Sequence, residues 1–141
     1  GWFQESSNSV SKEIIEKYSQ EGIIKFIGHV EDVREEIDSC DVFVLPSYHE
    51  GLPRSALEAM SMSKAVILSK IPGTSNLIKE NNNGFFCEPK STESLVDSIE
   101  KMLKHRTRIR EFGSESRTII EERFSDKLIN RKLLELLRIP L

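Results

Sequence analysis

The feature that most restricts this chain is an alternation: short, almost wholly apolar runs separated by longer stretches with helical spacing. The runs are Ile23–Ile27, Asp41–Leu45, Ala65–Ser69 and Phe85–Cys87. A strand with one wet face alternates apolar and polar residues. Runs this continuous need cover on both faces, which a parallel sheet with helices on either side provides. Between the runs, Ser9–Gln20 carries Val10, Ile14, Ile15 and Tyr18 at helical spacing, with Gly22 as a stop. Val30–Ser39 places Val33 and Ile37 on one face, and Pro53–Met62 reads as the next helix. Gly73 is expected to open a helix through Leu77 and Ile78, and Asn81–Gly84 to form a turn. Ser91 or Thr92 can cap a helix bearing Leu95, Val96, Ile99, Met102 and Leu103. The tail from 107 to 137 reads as helical, with a break at Phe124-Ser125-Asp126. The expected fold class is α/β: one domain, a parallel sheet with helices on both faces, and a helical C-terminal tail.

The chain has 141 residues and a formal net charge of −3. One core is feasible at that size, and that charge gives no reason to expect nucleic acid as a partner. Cys40 and Cys87 are far apart, so neither a disulfide framework nor a zinc pattern is present. Both are expected to be reduced and buried. No apolar run approaches the roughly 18 residues that span a bilayer, and no signal-peptide pattern is visible. The expected setting is cytoplasmic. The opening Gly1-Trp2-Phe3 is read as a cut through a strand, with part of a larger protein preceding it.

In a parallel α/β sheet, ligands bind beyond the carboxyl ends of the strands. The loop after Leu45 reads Pro46-Ser47-Tyr48-His49-Glu50-Gly51-Leu52-Pro53-Arg54-Ser55-Ala56-Leu57-Glu58-Ala59-Met60. Gly51 can adopt backbone angles closed to other residues, and Pro53 suits the first turn of a helix. The free amides of that helix start attract anions, phosphate above all. Glu50 and Glu58 flank it. A carboxylate beside a phosphate repels it unless it has another task, and accepting hydrogen bonds from sugar hydroxyls is such a task. Two bare glutamates at this separation would more often be a helix-start charge and a solvated helix residue.

The context changes that reading. Val42–Met60, Ala65-Val66-Ile67, Pro72-Gly73 and Asn83-Gly84-Phe85-Phe86 occur in order. Together they resemble the carboxy-terminal domain of family 4 glycosyltransferases, retaining enzymes of the two-domain GT-B architecture whose halves are Rossmann-like. The variant Glu-Gly-Leu-Pro-Arg-Ser is similar to bacterial enzymes of polysaccharide, lipopolysaccharide and lipid-linked oligosaccharide synthesis. The resemblance implies a nucleotide-sugar donor, UDP-linked by expectation, and no bound metal or other cofactor. It implies that Glu50 holds the donor sugar as the catalytic group and that Glu58 takes the ribose. Gly51, Leu52 and Pro53, beside Ser47, would meet the diphosphate and sugar, and Gly28, His29 and Val30 would border the nucleobase. The acceptor domain, and the family's cations for the diphosphate, would lie upstream of this chain. A stand-alone nucleotide-binding subunit, or a pseudoenzyme joined to a separate acceptor chain, is the alternative; a GT-B-like epimerase is a further one.

Two departures from the family pattern stand out. Ser63 replaces a glycine and Ala65 a proline. His29 and His49 lie on site loops and are read as packing or hydrogen-bonding residues. Lys101, Lys104, His105, Arg106, Arg108 and Arg110 form a basic stretch. It is read first as a solvated surface and second as a contact with the inner face of a membrane. The leucines of the tail are expected to self-associate or to cover a partner.

Overall fold

The computed structural model describes residues 10–138, which fall into two units divided between Glu35 and Glu36. The expected strand cut at Gly1–Phe3 lies outside the described residues.

In the first unit, Lys12–Gln20 form α1. Its start is capped by Ser11, whose hydroxyl accepts from the Ile14 amide at 3.4 Å, and Gly22 turns the chain out of it with φ 70°. At the division itself, Arg34–Asp38 form α2, shorter than the sequence suggested. Its start is set by Asp32, whose carboxylate accepts the Arg34 amide at 3.0 Å and grips the Arg34 guanidinium at 2.6–3.0 Å. Those hydrogen bonds, side chain first and backbone second, hold the Asp32 pKa down to about 2. Val33, expected on the buried face of a longer helix, is exposed, and only Ile37 is buried.

The expected buried strand Ile23–Ile27 is not found among the described residues, and Ile23 is 65% exposed. An apolar β-branched run suits a strand, but only a neighbour's ladder of hydrogen bonds makes it one. Local composition does not carry that information.

The second unit holds the sheet. Its strands are β1 (Val42–Leu45), β2 (Ala65–Ser69) and β3 (Gly84–Cys87), all parallel in the order β1-β2-β3. The register sets Leu45 beside Leu68 and Ser69 beside Cys87, so all three carboxyl ends share one edge. Around them run α3 (Arg54–Ser61), α4 (Thr92–Lys104), a 3-10 turn (Arg106–Arg108), α5 (Ile109–Arg123) and α6 (Asp126–Leu136). Ser91 caps α4 by accepting from the Ser94 amide, as its sequence indicated. The tail breaks at Phe124 and Ser125, the C-cap of α5 and the N-cap of α6.

All five residues of β2 are buried, as a central parallel strand requires. Val66 and Leu68 pack with Ala56, Met60, Leu77 and Ile119 on one face, while Ala65 and Ile67 pack with Phe85, Met102 and Phe112 on the other. Each large aliphatic side chain so buried contributes about 1.5–3 kcal/mol. α5 supplies Phe112 to one face and Ile119 to the other. It passes the amino end of β2, where its Gly113 lies so close that a Cβ would overlap the Ser63 carbonyl. The carboxyl edge is thereby left to the loops.

Two expectations are corrected here. Residues 72–77 form turns, not a helix. The Thr74 hydroxyl accepts from the Ile71 amide and lies against the Ser69 and Ile71 carbonyls. Buried Asn83 accepts from the Lys79 amide at 2.7 Å and donates to the Leu77 carbonyl at 2.9 Å and to Ser116 at 3.3 Å. Side chains and isolated turn hydrogen bonds, such as those from the Thr74 and Ser75 amides to the Ile71 carbonyl, satisfy this backbone in place of a continuous helical ladder. Cys40 is exposed rather than buried, because it sits just past α2, its thiol against the Glu36 carbonyl; Cys87 is buried, and both are free.

Candidate functional site

Three loops meet beyond the carboxyl edge. The loop after β1 carries Ser47, Tyr48, His49 and Glu50. The Ser47 hydroxyl donates to Glu50 Oε1 at 2.7 Å, in half-buried surroundings. That bond fixes the carboxylate while leaving its other oxygen available as an acceptor.

The loop after β2 brings Gly73 against this segment. A Cβ on Gly73 would overlap the carbonyl oxygens of Glu50 and Gly51, so no other residue fits without moving the glutamate's backbone. The sequence pointed instead to Gly51, for its backbone freedom. In the structure Gly51 has no left-handed φ, and a Cβ there would meet nothing within 4 Å. The residue that the loop cannot replace is Gly73, which the sequence offered as a helix opener and as part of the Pro72-Gly73 motif. Close approach is a property of two segments, and a sequence shows one at a time.

The loop after β3 brings Lys90, whose ammonium lies 5.6 Å from the centre of the Tyr48 ring. Pro46, Tyr48, Ser69, Cys87, Lys90 and Ser91 are among the walls of an open cleft of about 220 Å³ at this edge.

α3 begins here. Pro53 is its buried N-cap, with φ −70° and ψ 110°, one position earlier than the first-turn placement expected from sequence. No side chain caps this end, and among the described residues no hydrogen bond reaches the amides of Arg54 and Ser55. Such a terminus favours an anion. Arg54 and Glu58 follow on one face of α3, a turn apart, and line a second groove of about 590 Å³ with Leu57, Ser61, Ile120, Phe124, Ser125 and Asp126. Glu58 is exposed there.

The expected site residues are thus partly gathered. Ser47, Glu50 and Gly51 form one group with Gly73, and Leu52 and Pro53 lead from it into α3. Glu58 lies further along the helix, and no bond joins it to Glu50 among the described residues. Gly28, His29 and Val30 belong to the first unit; Gly28 has φ 68°, Val30 is half-buried and His29 exposed. Among the described residues no cluster of His, Cys, Asp or Glu is arranged to hold a metal.

A parallel α/β sheet with its loops gathered at the carboxyl edge is a ligand-binding arrangement, and comparison gives the family. Residues 1–123 match the family described as "Glycosyl transferases group 1", and the chain belongs to it. A Campylobacter jejuni N,N'-diacetylbacillosaminyl-diphospho-undecaprenol alpha-1,3-N-acetylgalactosaminyltransferase is 33% identical over 88 residues, 62% of this chain and 23% of that protein. An Escherichia coli UDP-Gal:alpha-D-GlcNAc-diphosphoundecaprenol alpha-1,3-galactosyltransferase is 36% identical over 73 residues, 52% of this chain and 19% of the enzyme. Among solved structures, Anabaena HepE in complex with UDP superposes with a TM-score of 0.79 at 26% identity, covering 90% of this chain and 36% of that one. The C-terminal domain of a group 1 glycosyl transferase (LpcC) from Francisella tularensis does so with a TM-score of 0.67 at 25% identity, covering 82% of this chain and 62% of that one. The fold is that of one half of a GT-B glycosyltransferase. The chain spans about a quarter of the length of the Campylobacter enzyme, 23%.

Proposed function

We propose that this chain is the carboxy-terminal, donor-binding domain of a retaining, family 4-like glycosyltransferase that works in bacterial cell-surface glycan synthesis. The observation that carries this reading is the uncapped start of α3 at the carboxyl edge of a parallel sheet, with the Ser47-braced Glu50 immediately before it. Open amides suit a diphosphate, and a fixed carboxylate suits the hydroxyls of the sugar attached to it.

In this proposal Glu50 is the catalytic residue. It holds the donor sugar and orients the anomeric carbon for front-side attack by the acceptor hydroxyl. The bond from anomeric carbon to acceptor oxygen forms as the bond to the diphosphate oxygen breaks, the proton of the acceptor hydroxyl passes to that leaving oxygen, and configuration is kept. The amides of Gly51 and Leu52 and the start of α3 after Pro53 take the developing charge of the leaving diphosphate. Glu58 binds the ribose hydroxyls. For the nucleobase the proposal keeps Gly28, His29 and Val30. The donor is UDP-linked, in line with UDP in the HepE complex, and no metal is needed. The acceptor is held by a separate half, as a two-domain architecture requires, and the reaction belongs on the cytoplasmic side.

The test is calorimetric titration of the chain with UDP-, GDP- and ADP-linked sugars, beside Glu58→Ala. A charged hydrogen-bonding partner contributes about 1.5–3 kcal/mol, so the variant is expected to bind the preferred nucleotide about 10- to 100-fold more weakly. Equal affinity in both proteins would remove Glu58 from the site. Absence of binding to any of the sugars by a folded chain would overturn the donor reading for this chain.

A further inference from the structure

α4 packs on the sheet through Leu95, Ser98 and Met102, yet its other side is also apolar. Val96, Ile99 and Leu103 follow one another at helical spacing and are exposed, Leu103 to 61%. The acidic residues Glu93, Asp97 and Glu100 lie earlier in the helix, beside Val96 and Ile99. From residue 101 to residue 110 there is no acidic side chain, but there are Lys101, Lys104, Arg106, Arg108 and Arg110. Arg108 is committed: it pairs with Glu111 at 2.9 Å and lies over the Phe112 ring. Among the described residues no ion pair involves Lys101, Lys104, Arg106 or Arg110, and all four are exposed. The last turn of α4 and the 3-10 turn after it therefore present an exposed leucine among uncommitted cations, on a chain whose net charge is −3.

We propose that this corner is a docking surface for an anionic lipid bilayer, with Leu103 entering the headgroup layer and Lys101, Lys104, Arg106 and Arg110 resting on lipid phosphates. Charge decides the class of partner, and Leu103 decides within it. A polyanion such as RNA or heparin would use the cations and gain little from an exposed aliphatic side chain, whereas a bilayer uses both. Contact is confined to the C-terminal end of α4, because the acidic residues beside Val96 are repelled by the same surface. No helix among the described residues is long and apolar enough to cross a membrane, so the contact is peripheral. The proposal stands apart from the donor reading, since it uses none of its residues.

The experiment is cosedimentation of the folded chain with vesicles of phosphatidylcholine alone and of equal parts phosphatidylcholine and phosphatidylglycerol. Binding is expected only to the anionic vesicles and should fall as salt rises. Each cation near such a surface is worth about a fivefold change in partitioning, so Lys104→Ala with Arg106→Ala should weaken binding about 25-fold. Leu103→Ser should weaken it further at every salt concentration, and Arg131→Ala with Lys132→Ala on α6 should leave it unchanged. Failure to bind the anionic vesicles would overturn the proposal. So would an equal loss in the α6 pair, which would mean unspecific charge. Full competition by heparin with no effect of Leu103→Ser would mark a polyanion surface instead.

Discussion

The two ends of α3 solve the same problem in opposite ways. Every helix leaves backbone groups unsatisfied at its ends. At the C-terminal end, the protein meets them itself. Lys64 donates to the Ala59 carbonyl and Ser63 to the Met60 carbonyl, both at 3.0 Å, with Ser63 in the left-handed region at φ 58°. Arg117 donates to the Ser61 carbonyl, and Gly113 of α5 closes over the turn. At the N-terminal end, Pro53 offers no side-chain cap, and among the described residues no hydrogen bond reaches the amides of Arg54 and Ser55. α2, by contrast, has its own carboxylate on its first amide, from Asp32. The closed end faces the amino edge of the sheet and the open end faces the carboxyl edge. Stability and, in the proposed function, ligand recognition thus fall to opposite ends of one eight-residue helix.

Substitutions at the two ends should therefore separate stability from binding. The largest effect is expected from Gly113→Ala, whose new methyl overlaps the Ser63 carbonyl. Overpacking of this kind costs about 1–3 kcal/mol. Thermal unfolding should show a melting temperature several degrees lower, with donor affinity kept in the protein that remains folded. If the melting temperature is unchanged, the closed end is less tightly built than its geometry indicates.

Gly73→Ala acts at the other end. Its methyl displaces the Glu50–Gly51 backbone, in half-buried to exposed loops outside the core, so stability should fall by only about 1 kcal/mol. Donor affinity by calorimetry should fall roughly tenfold or more, because the displaced groups are those proposed to meet the donor. A variant that melts early yet binds normally would reverse the comparison.

Ser63→Gly should stabilise the closed end. A non-glycine residue in the left-handed region costs about 1–2 kcal/mol, and part of that is returned through the greater freedom of glycine when unfolded. A gain of about 1 kcal/mol in chemical denaturation is expected, with no change in donor binding.

The smallest effect concerns the carboxylate that caps α2. The folded pKa of Asp32 is depressed to about 2. Its contribution is therefore fully present above the ordinary carboxylate pKa and is lost as pH falls from about 4 toward 2. The pair is exposed, so the effect is small. Comparison of acid unfolding with Asp32→Asn should show the wild type losing slightly more stability across that window. Superimposable curves would mean that Asp32 contributes nothing to the start of α2.

Much of the architecture was legible before any coordinates. Three of the four apolar runs are strands of one parallel sheet, since Val-, Ile- and Phe-rich runs between helices have few other ways to bury both faces. α1, α4, α5 and α6 were legible from spacing, and α4 also from its Ser91 cap, because helix periodicity and capping act within a few residues. The run Ile23–Ile27 failed because strand pairing is not local. Residues 72–77 failed because the side chains of Thr74 and Asn83 compete for the nearby backbone groups of Ser69, Ile71, Leu77 and Lys79, which helical spacing does not reveal. At the candidate site, Ser47, Glu50 and the start of α3 were legible as one motif. Lys90, the groove beside Glu58 and the close approach of Gly73 to Glu50 and Gly51 were not, since each involves another loop or helix.

The sequence by itself determined membership of the glycosyl transferases group 1 family, the layered α/β plan and the motif from Ser47 to Glu58. These depend on side-chain type and on spacing along a single segment. Only the tertiary structure decided which glycine is irreplaceable at the site, why Ser63 must turn where a glycine is easier, and which face of α4 stays uncovered. Those depend on how closely separate segments approach, and excluded volume between them has no expression in the order of residues along either one.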